Sequence, residues 1–286
     1  MATFKEIKKR INAIVTTRKT TSAMKMVASS KLHKAELLLI DMVHYSQALH
    51  RIMNDLLTRD FINPLSFERP VQNVAIIALS SDSSLCGAYN SNVSRELHKT
   101  IEKYKKSLTI DHILVYTIGK KVYEHTKKSG ITVAKNFVNI AGKADYKTIA
   151  GFASSLMSQF EEKQIDRVDL IFHHFKSAGS QELMNIQLLP IKIPEKEKQS
   201  GQFADFILEP SQKSILKSLI PSNVKTQLYL ALLDANASEH AARMIAMQTA
   251  SDNADDLVSG LTIVYNKSRQ QAITNELLDL IGGSVK

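Results

Sequence analysis

The sequence predicts an α/β protein in which a long antiparallel coiled coil, made from both ends of the chain, is joined to a Rossmann-like α/β domain made from the middle. Three observations predict this. The first proline is Pro64 and the first glycine is Gly87. After Pro221 there is no proline, and the only glycines are Gly260, Gly282 and Gly283. Between these ends, short β-branched runs alternate with helical patterns. The expected divisions are 1–61 for the N-terminal helix, 62–205 for the α/β domain and 206–286 for the C-terminal helix. The first and third pair as one unit.

The N-terminal helix is expected from the lack of breakers between Thr3 and about Asp60. Such a helix would reach roughly 85 Å at 1.5 Å per residue. Steps of four and three from Ile7 fall on Ile11, Ile14, Arg18, Thr21, Lys25, Ala28, Leu32, Ala35, Leu39, Met42, Ser46, Leu49, Met53 and Leu56. Most are apolar. A 3.5-residue period sustained this long indicates a coiled coil rather than a core helix. The polar interruption at Arg18–Lys25 is expected to face something other than the seam partner.

The C-terminal helix is expected from Ser222, as N-cap, to about Ile281, with Gly282-Gly283 as its stop. Its alanines, from Ala231 to Ala254, let two helix axes approach closely. A single long helix cannot bury its own apolar stripe, so the two terminal helices are expected to pack together. The middle must return the chain to its start, which favours an antiparallel pair.

In the middle, Val71–Ser80, His112–Ile118, Ile131–Phe137, Val168–Phe175 and Leu183–Ile191 read as strands. Asn90–Lys105, Lys120–Lys128 and Tyr146–Glu162 read as the helices between them. This alternation implies a mostly parallel sheet. Ile191–Gly201 is polar and reads as an exposed connector.

The 286 residues allow one large or two ordinary domains. Cys86 is the only cysteine, so no internal disulfide forms and a reducing compartment fits. No apolar run approaches the roughly 20 residues that span a bilayer. Met1–Arg10 lacks an apolar signal core, so secretion is not expected and membrane association must come through partners. Net charge is +9 and unevenly placed. Residues 1–34 carry nine cations against Glu6 alone, whereas residues 222–286 carry five cations against seven acids. A basic end suggests an acidic partner, or a solvated helix face.

The parts of a nucleotide enzyme are absent. The chain has no G-x-x-x-x-G-K-[ST] loop, and no G-x-G-x-x-G motif stands after the first strand. The stretch that does stand there, Ser80–Gly87, reads as a structural turn ahead of an anion cradle. His173 and His174 are adjacent on a strand and point to opposite faces, and His240 has no histidine at helical spacing. Cys86 reads as a small buried residue beside a turn. No cofactor, metal site or assembled catalytic site is expected.

Three separated segments carry a family resemblance. Ile7–Ala35 contains T-T-S-A-M-K-M-V-A-S-S-K, Ser81–Asn90 contains S-D-S-S-L-C-G-A-Y-N, and Ala237–Gly283 contains A-S-E-H-A-A-R-M-I-A-M and, beyond it, L-T-I-V-Y-N-K-S-R-Q-Q-A-I-T-N-E-L-L-D-L-I-G-G. These resemble the gamma subunits of F-type ATP synthases. Ser83-Ser84 stands where the family usually has Arg-Gly.

The resemblance implies the rotating shaft of that enzyme, a non-catalytic subunit that couples proton translocation to ATP synthesis and hydrolysis. The implied partners are a ring of alpha and beta subunits around the upper coiled coil, the epsilon subunit, and a membrane ring of c subunits below. The implied location is peripheral, on the cytoplasmic face of the bacterial inner membrane. Arg18, Met24, Lys25 and Arg243 are implied to face an acidic lever loop of beta. Arg269, Gln270, Thr274 and Glu276 are implied to meet its catch loop. Phe206 and Glu209, within the Asp205–Pro210 stretch, resemble the foot that rests on the c ring, although the tyrosines usual there are missing. Two other function classes compete: a basic coiled-coil nucleic-acid binder, which lacks any recognised motif, and an enzyme using the α/β domain.

Overall fold

Residues 4–56, 63–138, 140, 142, 145–191 and 208–283 are described in a computed structural model of the chain, without the side chains of 276 and 279–283. They pack as two units, one of Met1–Ser29 with Arg243–Lys286 and one of Ser30–Ala242. Both boundaries fall inside long helices, α1 (Phe4–Leu56) and α5 (Gln212–Gly283).

In the first unit α1 and α5 form an antiparallel pair. Phe4 meets Tyr265 with ring centroids 6.5 Å apart, Arg18 meets Asp255, and Thr21 meets Ser251. The number falls on α5 as it rises on α1. From Ser251 to Asn275 the only residues of α5 that are buried or half-buried are Ser251, Ala254, Val258, Leu261, Tyr265, Ser268 and Ala272. These alternate in steps of three and four, so α5 carries its own 3.5-period seam. On α1 every predicted heptad position, in both units, is buried or half-buried.

That pattern corrects one expectation. The polar stretch does not leave the seam, because Thr21 shares a 2.7 Å hydroxyl contact with Ser251 and Arg18 pairs with Asp255. The sequence is polar there because α5 supplies polar partners at the same level, which lets a hydroxyl sit between two helices without an unmet hydrogen bond.

The second unit is a five-stranded sheet with helices on both faces. Its strands are β1 (Val74–Leu79), β2 (Ile113–Ile118), β3 (Val133–Phe137), β4 (Arg167–Ser177) and β5 (Ser180–Leu189), in the order β3-β2-β1-β4-β5. The helices between them are α2 (Tyr89–Lys105), α3 (Lys120–Lys128) and α4 (Tyr146–Glu161). All eight lie within three residues of their predicted limits. β1 pairs in parallel with β2 and β4, and β2 with β3, whereas β4 and β5 form an antiparallel hairpin. The chain moves outward from β1 through β3 and then returns to the far side of β1. A right-handed crossover therefore places α4 on the face opposite α2 and α3.

β1 is buried on both faces, as the central strand of a parallel sheet must be. Val74, Ile76 and Ala78 face Val93, Leu97 and Ile101 of α2 and Val122 of α3. Ala75, Ile77 and Leu79 face α4, through Phe152, Leu156 and Phe160, and α5, through Leu216, Ile220, Val224 and Leu228. Met53 and Leu56 of α1 close the same cluster. At this end too α1 and α5 run antiparallel, with Gln212 bonding the Leu56 carbonyl and Gln227 approaching His50.

α5 begins ten residues earlier than expected and takes Pro221 inside it. Ser222 is therefore not an N-cap. An interior proline forfeits a backbone hydrogen bond and costs about 3 kcal/mol. The row Leu216, Ile220, Val224 and Leu228 is no more than 2% exposed and straddles the proline at four-residue spacing. Burying each such side chain contributes about 1.5–3 kcal/mol, so the row outweighs the proline.

The loop after β1 ties the sheet to α3. Asp82 Oδ1 accepts from Lys120 N, the Ser81 carbonyl from Lys121 N, and Ser80 Oγ from Val122 N. Three donors of the helix N-terminus that would lack a partner are thereby met. The loop can approach because residue 119 is glycine. Gly119 has φ +101°, and a Cβ there would lie 2.2 Å from the Ser80 carbonyl oxygen. Gly119→Ala is therefore expected to destabilise the α/β unit by about 3 kcal/mol or more. Urea unfolding monitored by circular dichroism checks it; an unchanged midpoint would mean the loop yields freely.

Candidate functional site

Open parallel sheets take ligands at the carboxyl ends of their strands, where the strand order reverses. Here that place lies beyond β1 and β4, and it is packed with the chain's own side chains. β4 runs past its last pairing with β1, at Ala78 and Ile171, and presents His173, His174 and Phe175. Tyr89, at the start of α2, stacks on the His173 ring at 4.4 Å and donates its hydroxyl to the Ala235 carbonyl of α5 at 2.9 Å. Ser238 Oγ donates to the His173 carbonyl at 3.1 Å. Asp234 accepts from Phe175 N at 2.6 Å and lies 2.5 Å from His174 Nδ1.

Burial and partners set the protonation of this cluster. His173 is 3% exposed, and burial alone pulls its pKa down to about 4, so it is neutral. Burial pushes the Asp234 carboxyl above the usual range, while His174 and the Phe175 amide pull it back. The two adjacent histidines differ in environment: His173 is enclosed and the His174 side chain is 46% exposed. Cys86 is 1% exposed beside the turn. Asn90 Oδ1 accepts from Ser81 N at 3.0 Å, so this stretch is braced by side chains and caps α3, as a structural turn does. Among the described residues no group of three histidine, cysteine or carboxylate side chains could hold a metal ion.

The second concentration of functional groups lies in the first unit. A groove of about 470 Å³ runs between α1 and α5, lined by Arg18, Lys19, Ser22 and Lys25 on one side and Gln248, Ser251, Asp252 and Asp255 on the other. Arg18 Nη1 lies 2.5 Å from Asp255 Oδ1. Gln248 Nε2 donates to Asp252 Oδ1 at 2.6 Å. Three cations and two carboxylates give the groove a positive balance.

Of the other sequence-predicted residues, Met24 and Arg243 are half-buried on the two helices of this unit. Arg269, Gln270 and Thr274 are exposed further along α5, outside its seam. Thr274 Oγ1 donates to the Gln270 carbonyl at 2.9 Å, so its hydroxyl is turned to its own helix. The side chain of Glu276 is outside the described residues, as is Phe206, while Glu209 is exposed just ahead of α5. The structure thus gathers Arg18 and Lys25 into one groove and leaves Arg269, Gln270 and Thr274 apart from it.

Likeness to known proteins decides the family. A family profile described as ATP synthase matches residues 3–285. An ATP synthase gamma chain of Bacteroides fragilis is 49% identical over the full length of both chains. One from Christiangramia forsetii is 38% identical, covering 99% of this chain and 98% of its own.

The chain belongs to the ATP synthase gamma-chain family.

Solved structures agree at the level of fold. A chain of the central stalk and c ring of Tetrahymena thermophila mitochondrial ATP synthase superposes with a TM-score of 0.63 at 24% identity, covering 81% of this chain and 99% of its own. A chain of the Euglena gracilis mitochondrial ATP synthase rotor gives 0.67 at 17% identity, covering 94% and 98%. None of these comparisons supports the nucleic-acid reading. Among the described residues no helix is long and apolar enough to cross a membrane.

Sequence reasoning missed two features of the gamma-chain architecture here. Asp255, the partner of Arg18, gave no signal beyond being one acid among several on α5. The Tyr89–His173–Ala235 stack joins residues 146 positions apart in the case of Tyr89 and Ala235, which only the fold brings together.

The buried His173 has a pH consequence. Its pKa is depressed in the folded chain, so the unfolded chain binds the extra proton first, and stability falls as pH drops from 6.5 towards 4. The loss attributable to this residue is about 3 kcal/mol across that window. His173→Phe keeps a ring against Tyr89 and is expected to remove that part of the acid sensitivity. Urea unfolding at pH 7 and pH 4.5 checks it; equal pH slopes in both proteins would contradict it.

Proposed function

We propose that the chain is the central rotor shaft of an F-type ATP synthase, turning inside a ring of alpha and beta subunits and coupling proton movement to ATP synthesis and hydrolysis. It contributes no catalytic group; it supplies asymmetry. The observation that carries this reading is the surface of the first unit. Its seam uses one stripe of each helix, and the outer faces still display Met26 at 67%, Val27 at 57% and Ile263 at 71% exposure, with Leu257, Leu277 and Leu278 more than half exposed. Apolar display of this extent on a two-helix rod fits a partner that encloses it. The two helices differ in sequence, so each direction around the rod offers a different face. Such a rod biases each surrounding subunit differently as it turns, which is the differential interaction a conformational cycle requires.

The finer assignments rest on the same reading. The groove at Arg18 and Lys25, with Met24 and Arg243 nearby, faces an acidic loop of beta. Arg269, Gln270, Thr274 and Glu276 meet a second beta loop, through charge-assisted hydrogen bonds that form and break with each turn. The α/β domain with the paired helix ends beside it sits with the epsilon subunit on the c ring, using Phe206 and Glu209. The divisions 1–61, 62–205 and 206–286 describe these working parts. The complex places the chain peripherally on the cytoplasmic face of the inner membrane.

Reconstitution with the organism's own alpha and beta subunits tests this. The full chain is expected to form a stable complex and raise ATP hydrolysis about tenfold or more over the ring alone, equivalent to about 1.4 kcal/mol of barrier. Truncation before Ala272 is expected to leave the complex assembled with reduced rate. No complex and no change in rate would overturn the shaft reading.

A further inference from the structure

The two carboxylates of the groove are both held from within the chain. Asp252 is engaged by Gln248 and Asp255 by Arg18, while Lys19 and Lys25 form no ion pair among the described residues. The Arg18–Asp255 pair is also the open one: the two side chains are 39% and 55% exposed. It lies beside the half-buried Thr21–Ser251 contact, so losing the pair leaves that contact of the seam in place. Exposed ion pairs of this kind are only marginally favourable, because solvent screens both charges and two flexible side chains must be held together. Another carboxylate reaching the same guanidinium would compete on nearly equal terms. A guanidinium has five donors, so it can pass from one carboxylate to another without passing through a bare state.

We infer that Arg18 is an exchangeable anchor, taken from Asp255 by an acidic segment of the surrounding ring when that segment enters the groove. This rests on the shaft reading above and adds a regulatory element to it. Lys19 and Lys25 draw the segment in, and Asp255 sets how tightly it is held. Asp255 thereby acts as an internal competitor: it occupies the anchor when the segment is away and keeps the grip weak enough to release. Charge complementarity selects the occupant. With its own carboxylates already engaged, the groove offers Lys19 and Lys25, which form no ion pair among the described residues, and can take further acid but not further base.

The test uses the full chain assembled with alpha and beta subunits, comparing Asp255→Asn, Arg18→Gln and the double variant. The readouts are apparent affinity of the chain for the ring at low and at high salt, and thermal unfolding of each isolated variant. Exchange predicts that Asp255→Asn binds the ring about two- to fivefold more tightly at low salt, that high salt erases the gain, and that Arg18→Gln removes it in the double variant. If Asp255→Asn weakens binding and lowers the unfolding temperature to the same extent as Arg18→Gln, the pair is only a clasp and the inference fails. If all variants bind like the parent at every salt concentration, the ring does not use this groove, and the inference fails with it. In that case a ring whose ATP hydrolysis still responds to the chain leaves the shaft reading intact, whereas an unresponsive ring removes both.

Discussion

A 3.5-residue repeat held along two antiparallel helices is the constraint on which the rest depends. Without it α1 is a 53-residue helix with no core of its own, and most helical stability in water comes from burying a face. The repeat assigns each helix one narrow stripe. On α5 that stripe is seven residues between Ser251 and Ala272, with everything between them and on to Asn275 exposed. A stripe that narrow leaves most of each helix surface for other uses, which is what a rod gripped from outside requires. The same stripe explains why a polar residue is tolerated at Thr21, which Ser251 matches across the seam, while Arg18 pairs with Asp255 at its exposed edge.

In the α/β unit one helix does two jobs that usually belong to separate elements. The first part of α5 covers the sheet beside α4 with an apolar row that tolerates Pro221. Further along, Asp234, Ala235 and Ser238 reach over the carboxyl ends of the strands and bond to Tyr89, His173, His174 and Phe175. The crevice where such sheets bind ligands is thus filled by the helix that continues into the coil. The loop after β1 is likewise committed, since its serines and Asp82 cap α3 in place of holding an anion. A sheet of nucleotide-binding layout serves here as a mount for helices.

Much of this was legible in the sequence because it rests on periodicity and punctuation. The heptad on α1 was readable from residue spacing alone, and every position it named is at least half-buried. The five strands and three short helices were marked by β-branched runs between polar turns. What the sequence hid depends on long-range neighbours. Pro221 reads locally as a stop, and only the burial of Leu216 to Leu228 against the sheet overrides it. The polar break in the heptad reads as an outward face until Ser251 and Asp255 appear opposite. Gly119 gives no sequence signal for its close approach to Ser80, because that contact joins two strand ends brought together by parallel pairing.

The register of the seam is the claim that everything else inherits, and a cross-link tests it most directly. Thr21 and Ser251 touch through their hydroxyls at 2.7 Å, so cysteines at both positions, with Cys86 changed to serine, lie within reach of a disulfide. Mild oxidation of this variant in the assembled complex, read by non-reducing electrophoresis, is expected to give near-complete intramolecular bonding. Failure to form that bond, or bonding only between separate chains, would contradict the antiparallel register and the shaft built on it.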